Sequence, residues 1–305
     1  MNNSDYMLDN YVNLARNFKA DGEFAKALKF YNKAYKLNNG KNDIELLLDI
    51  ALLYTELQYY KEAEEKYLEI INIIPNEARA FYGLAVLYDE QKDYTEAIRY
   101  YEKTIKIDKF YDRAYFFLAN IYDEIGKKEE AIEVYKNVIK IKSDDFWAYV
   151  NLSAILEEMN YNNEALLYAN KALDLQPRQY KALFNMAVIL SKLSRKEESI
   201  IYYKKSIEEN PYYSFSYLNL AVLYREEKEF NNAINIISKG ISNNQEEGFL
   251  YYNRACFYVN INKSQEALDD ILKAIELNDF FKEYMKKDVE LDPIRSLPQY
   301  KSRFD

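Results

Sequence analysis

A small residue recurs along the chain at a nearly fixed interval. It falls at Ala15, Ala51, Ala85, Ala119, Ser153, Ala187, Ala221 and Ala255, preceded in all but the last instance by Leu, Ile or Met. The first interval is 36 residues and the other six are 34. A second small residue follows each by twelve: Ala27, Ala63, Ala97, Ala131, Ala165, Ser199, Ala233 and Ala267. Four residues later stand Tyr31, Tyr67, Tyr101, Tyr135, Ala169, Tyr203, Ile237 and Ile271. Pro75, Pro177 and Pro211 each lie twelve residues after the second small residue. A period of this length makes each repeat one supersecondary unit that buries its apolar face only against its neighbours.

Within a period the apolar residues step by three and four, as in Tyr115, Leu118, Ala119 and Tyr122, which is one face of a helix. A second such run follows, as in Ala131, Ile132 and Tyr135. Between the runs lie short polar segments (QKDY, GKKE, NYNN, EKEF) of the right length for a helix–helix turn. The pattern predicts an all-α chain of helical hairpins. The small residues sit where two helices cross and let their backbones approach, the aromatic residues fill the holes between helices, and the prolines close each unit.

Composition removes most catalytic readings. The 305 residues include no His, so there is no His metal ligand, no Ser-His-Asp triad and no Cys-His pair. The single Cys, Cys256, excludes an intrachain disulfide and a thiolate zinc site, and a reducing compartment is expected. Cys256 falls at an apolar helical position and reads as a small buried residue. The six glycines never come within seven residues of one another, so no glycine-rich phosphate loop is present. Adjacent carboxylates such as Asp89 and Glu90 point to different faces, which is wrong for a glycosidase pair, and no loop has calcium-ligand spacing. No enzyme, metal or cofactor is expected. With 41 Lys+Arg against 50 Asp+Glu the net charge is −9, which argues against nucleic acid. The N-terminus has no signal-peptide pattern, and the longest apolar stretches, such as residues 46–54, fall short of a membrane span. A cytoplasmic protein with no membrane segment is expected.

At this point the residues carry a family likeness: the pattern resembles the tetratricopeptide repeat. In that register units start at Leu8, Ile44, Ala78, Asp112, Phe146, Tyr180, Ser214 and Gly248, within a repeat region of residues 1–281. The tail, residues 282–305, resembles the closing segment of such arrays through Asp288, Leu291, Ile294, Arg295, Pro298 and Tyr300. The resemblance implies an all-α, right-handed α-solenoid of about eight helix-turn-helix repeats plus a C-terminal capping helix. It implies a concave groove lined mainly by the first helix of each repeat. Three departures stand out. A two-residue insertion lies near Gly40, Ser206 and Gly240 replace a usual core Ala and predict looser packing, and Arg254 replaces a usual Leu.

The resemblance also implies where a partner would sit. Position 6, facing the groove, reads Asn13, Asp49, Gly83, Phe117, Asn151, Asn185, Asn219 and Asn253. A row of Asn amides offers donors and acceptors to an extended peptide backbone. Position 5 adds Tyr82, Phe116, Phe184 and Tyr252, which would take an apolar side chain, with Trp147, Phe215 and Phe249 at the rim. Positions 12 and 13 carry Glu56, Asp89, Glu90, Asp123, Glu124, Glu157 and Glu158, an acidic stripe that would steer a basic partner. The implied function is a non-catalytic scaffold or adaptor holding a protein or peptide segment, as a monomer. The alternatives are a self-associating assembly module and a peptide-responsive regulatory sensor.

Overall fold

The computed structural model describes residues 3–37 and 39–304, and among these every regular element is helical. The chain divides into two compact units, Met1–Asp145 and Phe146–Asp305, at the boundary between the fourth and fifth repeats. The first unit holds four hairpins: α1 (Asn3–Ala20) with α2 (Phe24–Tyr35), α3 (Ile44–Glu56) with α4 (Tyr60–Ile73), α5 (Ala78–Glu90) with α6 (Tyr94–Ile107), and α7 (Asp112–Glu124) with α8 (Lys128–Ile141). The second holds α9 (Phe146–Glu158) with α10 (Asn162–Leu175), α11 (Tyr180–Lys192) with α12 (Lys196–Glu209), α13 (Ser214–Glu226) with α14 (Phe230–Asn243), and α15 (Gly248–Asn260) with α16 (Ser264–Leu277). The tail adds α17 (Phe280–Lys287), α18 (Asp292–Arg295) and α19 (Pro298–Phe304) after the last hairpin. From the second repeat on, each predicted unit start is the first residue of a helix. The insertion near Gly40 forms a 3₁₀ turn, Gly40–Asn42. No helix among the described residues is long and apolar enough to cross a membrane.

The two small residues of each repeat meet at the helix crossing. Ala85 and Ala97, Ala187 and Ser199, Ala221 and Ala233, and Ala255 and Ala267 are all fully enclosed. Close-packed interiors leave no room for larger side chains there. The second helix of a hairpin packs on the first helix of the next, and first helices also touch first helices: α3 on α5 in the first unit, α9 on α11, α11 on α13 and α13 on α15 in the second. Within each unit the first helices therefore line the inner side. Tyr31, Tyr67, Tyr101 and Tyr135, one per hairpin of the first unit, are almost wholly buried, and the first three sit in core clusters that join adjacent hairpins.

The turn after every first helix is built alike. Gly22, Gln58, Lys92, Gly126, Asn160, Ser194, Lys228 and Asn262 all have φ between 59° and 78°. This left-handed residue lets the next amide bond back to the helix, as in Asp93 N–H to Tyr88 O at 2.9 Å and Lys127 N–H to Tyr122 O at 2.8 Å. Only two of the eight positions are Gly, the residue that adopts this conformation without cost.

Two departures from the repeat pattern resolve differently from expectation. Packing at Ser206 and Gly240 is tight, not loose. Ser206 Oγ donates to Tyr180 O at 2.9 Å and meets Ser216 Oγ at 2.8 Å, so the buried hydroxyls satisfy each other. A Cβ on Gly240 would lie 2.8 Å from Tyr217 Cβ, so the missing methyl is replaced by an approaching Tyr. Arg254 takes the Leu position by pairing. Its Nε and Nη2 donate to Asp270 at 2.7 Å each, and Nη1 donates to Ser238 Oγ at 2.9 Å, between the rings of Tyr251 and Tyr258.

Two stability predictions follow from these contacts. Gly126→Ala is expected to cost about 1 kcal/mol and Lys92→Gly to be stabilising by less than that, read from urea unfolding midpoints. The new Cβ of Gly126→Ala meets no atom within 4 Å, so its cost is conformational alone. Asp270→Ala is expected to cost roughly 1–3 kcal/mol because it leaves the half-buried Arg254 guanidinium without its carboxylate, whereas Arg254→Leu with Asp270→Leu stays near wild type.

Candidate functional site

The inner face of each unit is set by what the Tyr of one hairpin meets on the first helix of the next. Tyr101 stacks on Phe117, with ring centroids 6.3 Å apart and planes at 12°. Tyr31 lies beside the pair formed by Arg16 Nε and Asp49 Oδ2 at 2.7 Å, and burial together with Asp49 pushes its hydroxyl up to about 12. Gly83 has no side chain to offer. A Cβ there would fall 2.2 Å from the Tyr67 ring, so Tyr67 occupies the space that a side chain fills in the other repeats.

Over Gly83 the first unit opens into a hollow of about 420 Å³. Gly83, Tyr67 and Thr55 form its floor, and Leu48, Leu52, Val86, Tyr82 and Tyr111 its walls. Glu45, Asp49, Arg79 and Arg113 stand at the rim. Tyr82 and Tyr111 lie 4.9 Å apart, and Tyr82 also faces Tyr101 at 5.9 Å and Phe117 at 6.4 Å. Burial pushes the Tyr82 hydroxyl up to about 12. Arg79 is engaged by Glu77 at 2.9 Å and Glu45 at 2.7 Å. On the outer side of the same unit a shallower hollow of about 390 Å³ is lined by Phe81, Arg99, Tyr100, Glu102, Lys103 and Lys106.

In the second unit a hollow of about 270 Å³ brings together Phe184, Asn185, Asn219, Glu157 and Glu158, with Ala154, Val188 and Ile189 beneath them. The Asn amides are partly committed. Asn185 Nδ2 donates to Val150 O of the preceding repeat at 3.3 Å, Asn219 Nδ2 to Phe215 O at 3.1 Å, and Asn253 Nδ2 to Phe249 O at 2.8 Å. Each keeps its oxygen as an acceptor. Asn151 is half-buried and Asn13 is exposed.

The predicted aromatic row divides. Phe116 meets Phe117 and Tyr135 edge-on at 5.5 and 5.9 Å, and Phe184 meets Tyr213 at 5.2 Å, while Phe116 and Phe184 keep some exposure. Tyr252 is the correction. It is only 6% exposed, donates to Asp288 Oδ2 at 2.6 Å and stacks on Phe281 at 5.5 Å, so the cap covers it and no partner reaches it. At the rim Trp147 and Phe215 are exposed, and Phe215 stacks on Phe249 at 5.4 Å.

Three of the seven residues of the predicted acidic stripe pair with lysines, two of them from neighbouring repeats and one from the same hairpin. Lys19 pairs with Glu56 at 2.9 Å, Lys128 with Asp123 at 2.5 Å, and Lys192 with Glu157. Asp89, Glu90 and Glu124 remain as a cluster in the first unit. Burial holds Asp89 above the usual carboxylate range, with Glu124 adding to it, and burial and Asp89 do the same to Glu90. Tyr94 and Tyr101 donate to Glu124 and Asp89 at 2.6 and 3.3 Å. No group of three or more His, Cys, Asp or Glu among the described residues stands close enough to hold a metal ion. The sequence pattern missed Arg79, Tyr111 and Arg113. Their shared position at or just before the second residue of a first helix was the available signal.

Models described as tetratricopeptide repeat match residues 8–41, 78–111, 148–179, 180–213, 202–235 and 250–280, and one described as TPR repeat matches 119–160. Together they span well over half of the chain. Among solved structures, a tetratricopeptide repeat protein from Parabacteroides merdae is 18% identical with a TM-score of 0.63, covering 82% of this chain and 98% of its own. A chain of the APC/C hetero-tetramer Cut9-Hcn1 is 14% identical with a TM-score of 0.59, over 90% of this chain and 52% of that one. YrrB, described as a TPR protein with an unusual peptide-binding site, is 19% identical with a TM-score of 0.53, over 61% of this chain and 95% of its own. At these identities the likeness is one of fold. No match was found among curated proteins.

Cys256 is buried on α15, as its position in the pattern predicted, and burial pushes its thiol up to about 12. Its reaction with a thiol reagent at pH 8 is expected to be slower in the native protein than in urea by roughly a hundredfold or more. A fast native reaction would instead expose an activated nucleophile.

Proposed function

The chain belongs to the tetratricopeptide repeat family, and on that premise we propose that it is a non-catalytic protein-binding scaffold whose inner faces hold an extended segment of another protein. The observation that carries the reading is the pair of hollows, one per unit, each built from consecutive first helices. A hollow of about 420 Å³ falls in the range of roughly 300–1,000 Å³ typical of ligand sites. YrrB's peptide-binding site supports a ligand of this kind on the same fold.

In the first unit the charge across the inner face is polar. Arg79 and Arg113 stand at the N-terminal ends of α5 and α7, while Asp89, Glu90 and Glu124 stand at their C-terminal ends. The helix dipoles add to this, since each helix carries partial positive charge at its start and negative at its end. A bound segment with a basic stretch gains by placing it against the carboxylate end, which is the narrower form of the basic partner expected from sequence. In the second unit Asn185 and Asn219 offer amides to the main chain of a segment whose side chains rest on Phe184 and Val188.

The test is a selection of random dodecapeptides by display against the full chain. Selected peptides are expected to lose about tenfold or more in affinity with Asn185→Ala and Asn219→Ala together, at roughly 1 kcal/mol for each hydrogen bond lost. They are expected to weaken with added salt and with Asp89→Asn plus Glu90→Gln. Peptides indifferent to both sets of variants would move the working surface away from the inner faces.

A further inference from the structure

The hollow over Gly83 is specific to one repeat. Every other repeat carries a side chain at the equivalent position: Asn13, Asp49, Phe117, Asn151, Asn185, Asn219 and Asn253. Here the Tyr67 ring stands where that side chain would begin, and the hollow opens beside it. Three tyrosine rings bound it, Tyr67 beneath and Tyr82 and Tyr111 at the sides, and Leu52, 48% exposed, lies at its mouth. An apolar side chain left half in water beside an empty aromatic recess gains on being covered.

The rim charges select what lies next to that side chain. Glu45 and Asp49 are already neutralised, by Arg79 at 2.7 Å and by Arg16 at 2.7 Å. Arg79 is satisfied in turn, with Glu77 as a second acceptor. Arg113 is exposed, borders the recess beside Tyr82 and Tyr111, and carries no ion pair among the described residues. Arg113 is therefore the rim cation without a carboxylate of its own among the described residues, although Arg79 is shared by Glu45 and Glu77 and the protein as a whole carries −9. A guanidinium beside ring faces favours a planar carboxylate.

We propose that the recess over Gly83 is an anchor site for one aromatic side chain of the partner segment, with an acidic residue beside it paired to Arg113. The inference rests on the scaffold reading and names what the first unit takes. The aromatic ring lies in the hollow beside the packed Tyr82–Tyr111 pair and against Leu52 and Val86, and the neighbouring carboxylate bridges to the Arg113 guanidinium. The geometry gives the segment a register, because one repeat alone has Gly at this position.

The test uses the full chain with methyl-labelled Leu and Val, titrated with three blocked dipeptides: acetyl-Phe-Asp-amide, acetyl-Phe-Lys-amide and acetyl-Ala-Asp-amide. Saturable shifts of the Leu52 and Val86 methyls are expected with Phe-Asp, at least about fivefold weaker with the other two, while the Val188 methyls of the second unit stay still. Arg113→Glu is expected to invert the Asp-over-Lys preference, and Arg113→Lys to retain it. Val86→Phe, which fills the recess from its wall, is expected to abolish the Phe-Asp response; an unchanged unfolding midpoint checks that the variant folds. Absence of saturable shifts, or a preference that Arg113→Glu leaves unaltered, overturns the proposal. Because this readout lies in the first unit and the asparagine test reads the second, a silent recess with dodecapeptide binding still lost on Asn185→Ala and Asn219→Ala overturns this inference alone.

Discussion

The close crossing of two helices at a pair of small residues is the contact on which the rest of the structure depends. Ala221, Ala233, Ala187 and Ser199 are fully enclosed, and Ser199 Oγ donates to Ala187 O at 2.7 Å from one helix of the hairpin to the other. The short interaxial distance leaves each hairpin thin, and an isolated hairpin cannot bury enough apolar surface to stand alone. Its outer faces must be covered by the next hairpin, which is why large rings such as Tyr67 and Tyr101 project between repeats. Where the last hairpin has no successor, the tail supplies the cover. Met285, Leu291, Ile294 and Tyr300 enter the same core cluster as Leu250 and Phe257. Arg295 holds the tail's own chain by donating to the carbonyls of Met285, Lys286 and Asp288.

A repeating frame of this kind makes function a matter of exceptions. The positions that build the frame are nearly constant, and those facing inward vary: Gly83 in one hairpin, Phe117 in the next, Asn219 in another. Variation at one inward position changes the surface without touching the helix crossings. The first unit thereby acquires a hollow bordered by Tyr82 and Tyr111, and the second a hollow lined by Phe184, Asn185 and Asn219. Each is assembled from consecutive first helices, so an extended ligand and an inner face have matching one-dimensional character.

Hairpin boundaries were legible because they rest on local signals. Helix periodicity, the polar turn and the prolines act within a few residues, and seven predicted unit starts coincide with helix starts. Cys256 was legible for the same reason, from its place on an apolar helix face. Arg254 was visible as an oddity but not as a pair, since Asp270 lies sixteen residues away on the next helix. The acidic row was visible as a pattern, but its partial neutralisation was not, because Lys192 comes to Glu157 and Lys19 to Glu56 only when adjacent hairpins stack. Tyr252 followed the pattern of an open groove until the cap closed over it.

The sequence alone determined the class of element, the length of the repeat, the crossing residues and the lack of any histidine or paired-cysteine chemistry. These depend on spacing along one helix or on composition, which folding does not alter. Tertiary structure decided which inward residues are free and which are spent. Pairs such as Arg16 with Asp49 or Asn185 with Val150 join residues 33 and 35 apart, one repeat length, and exist only after neighbouring hairpins dock. It also decided that the space a side chain would take at Gly83 is filled by a ring from another helix. The reason is that Tyr67 reaches its place from the preceding hairpin, and no spacing along the chain states how far a ring swings into the space beside it.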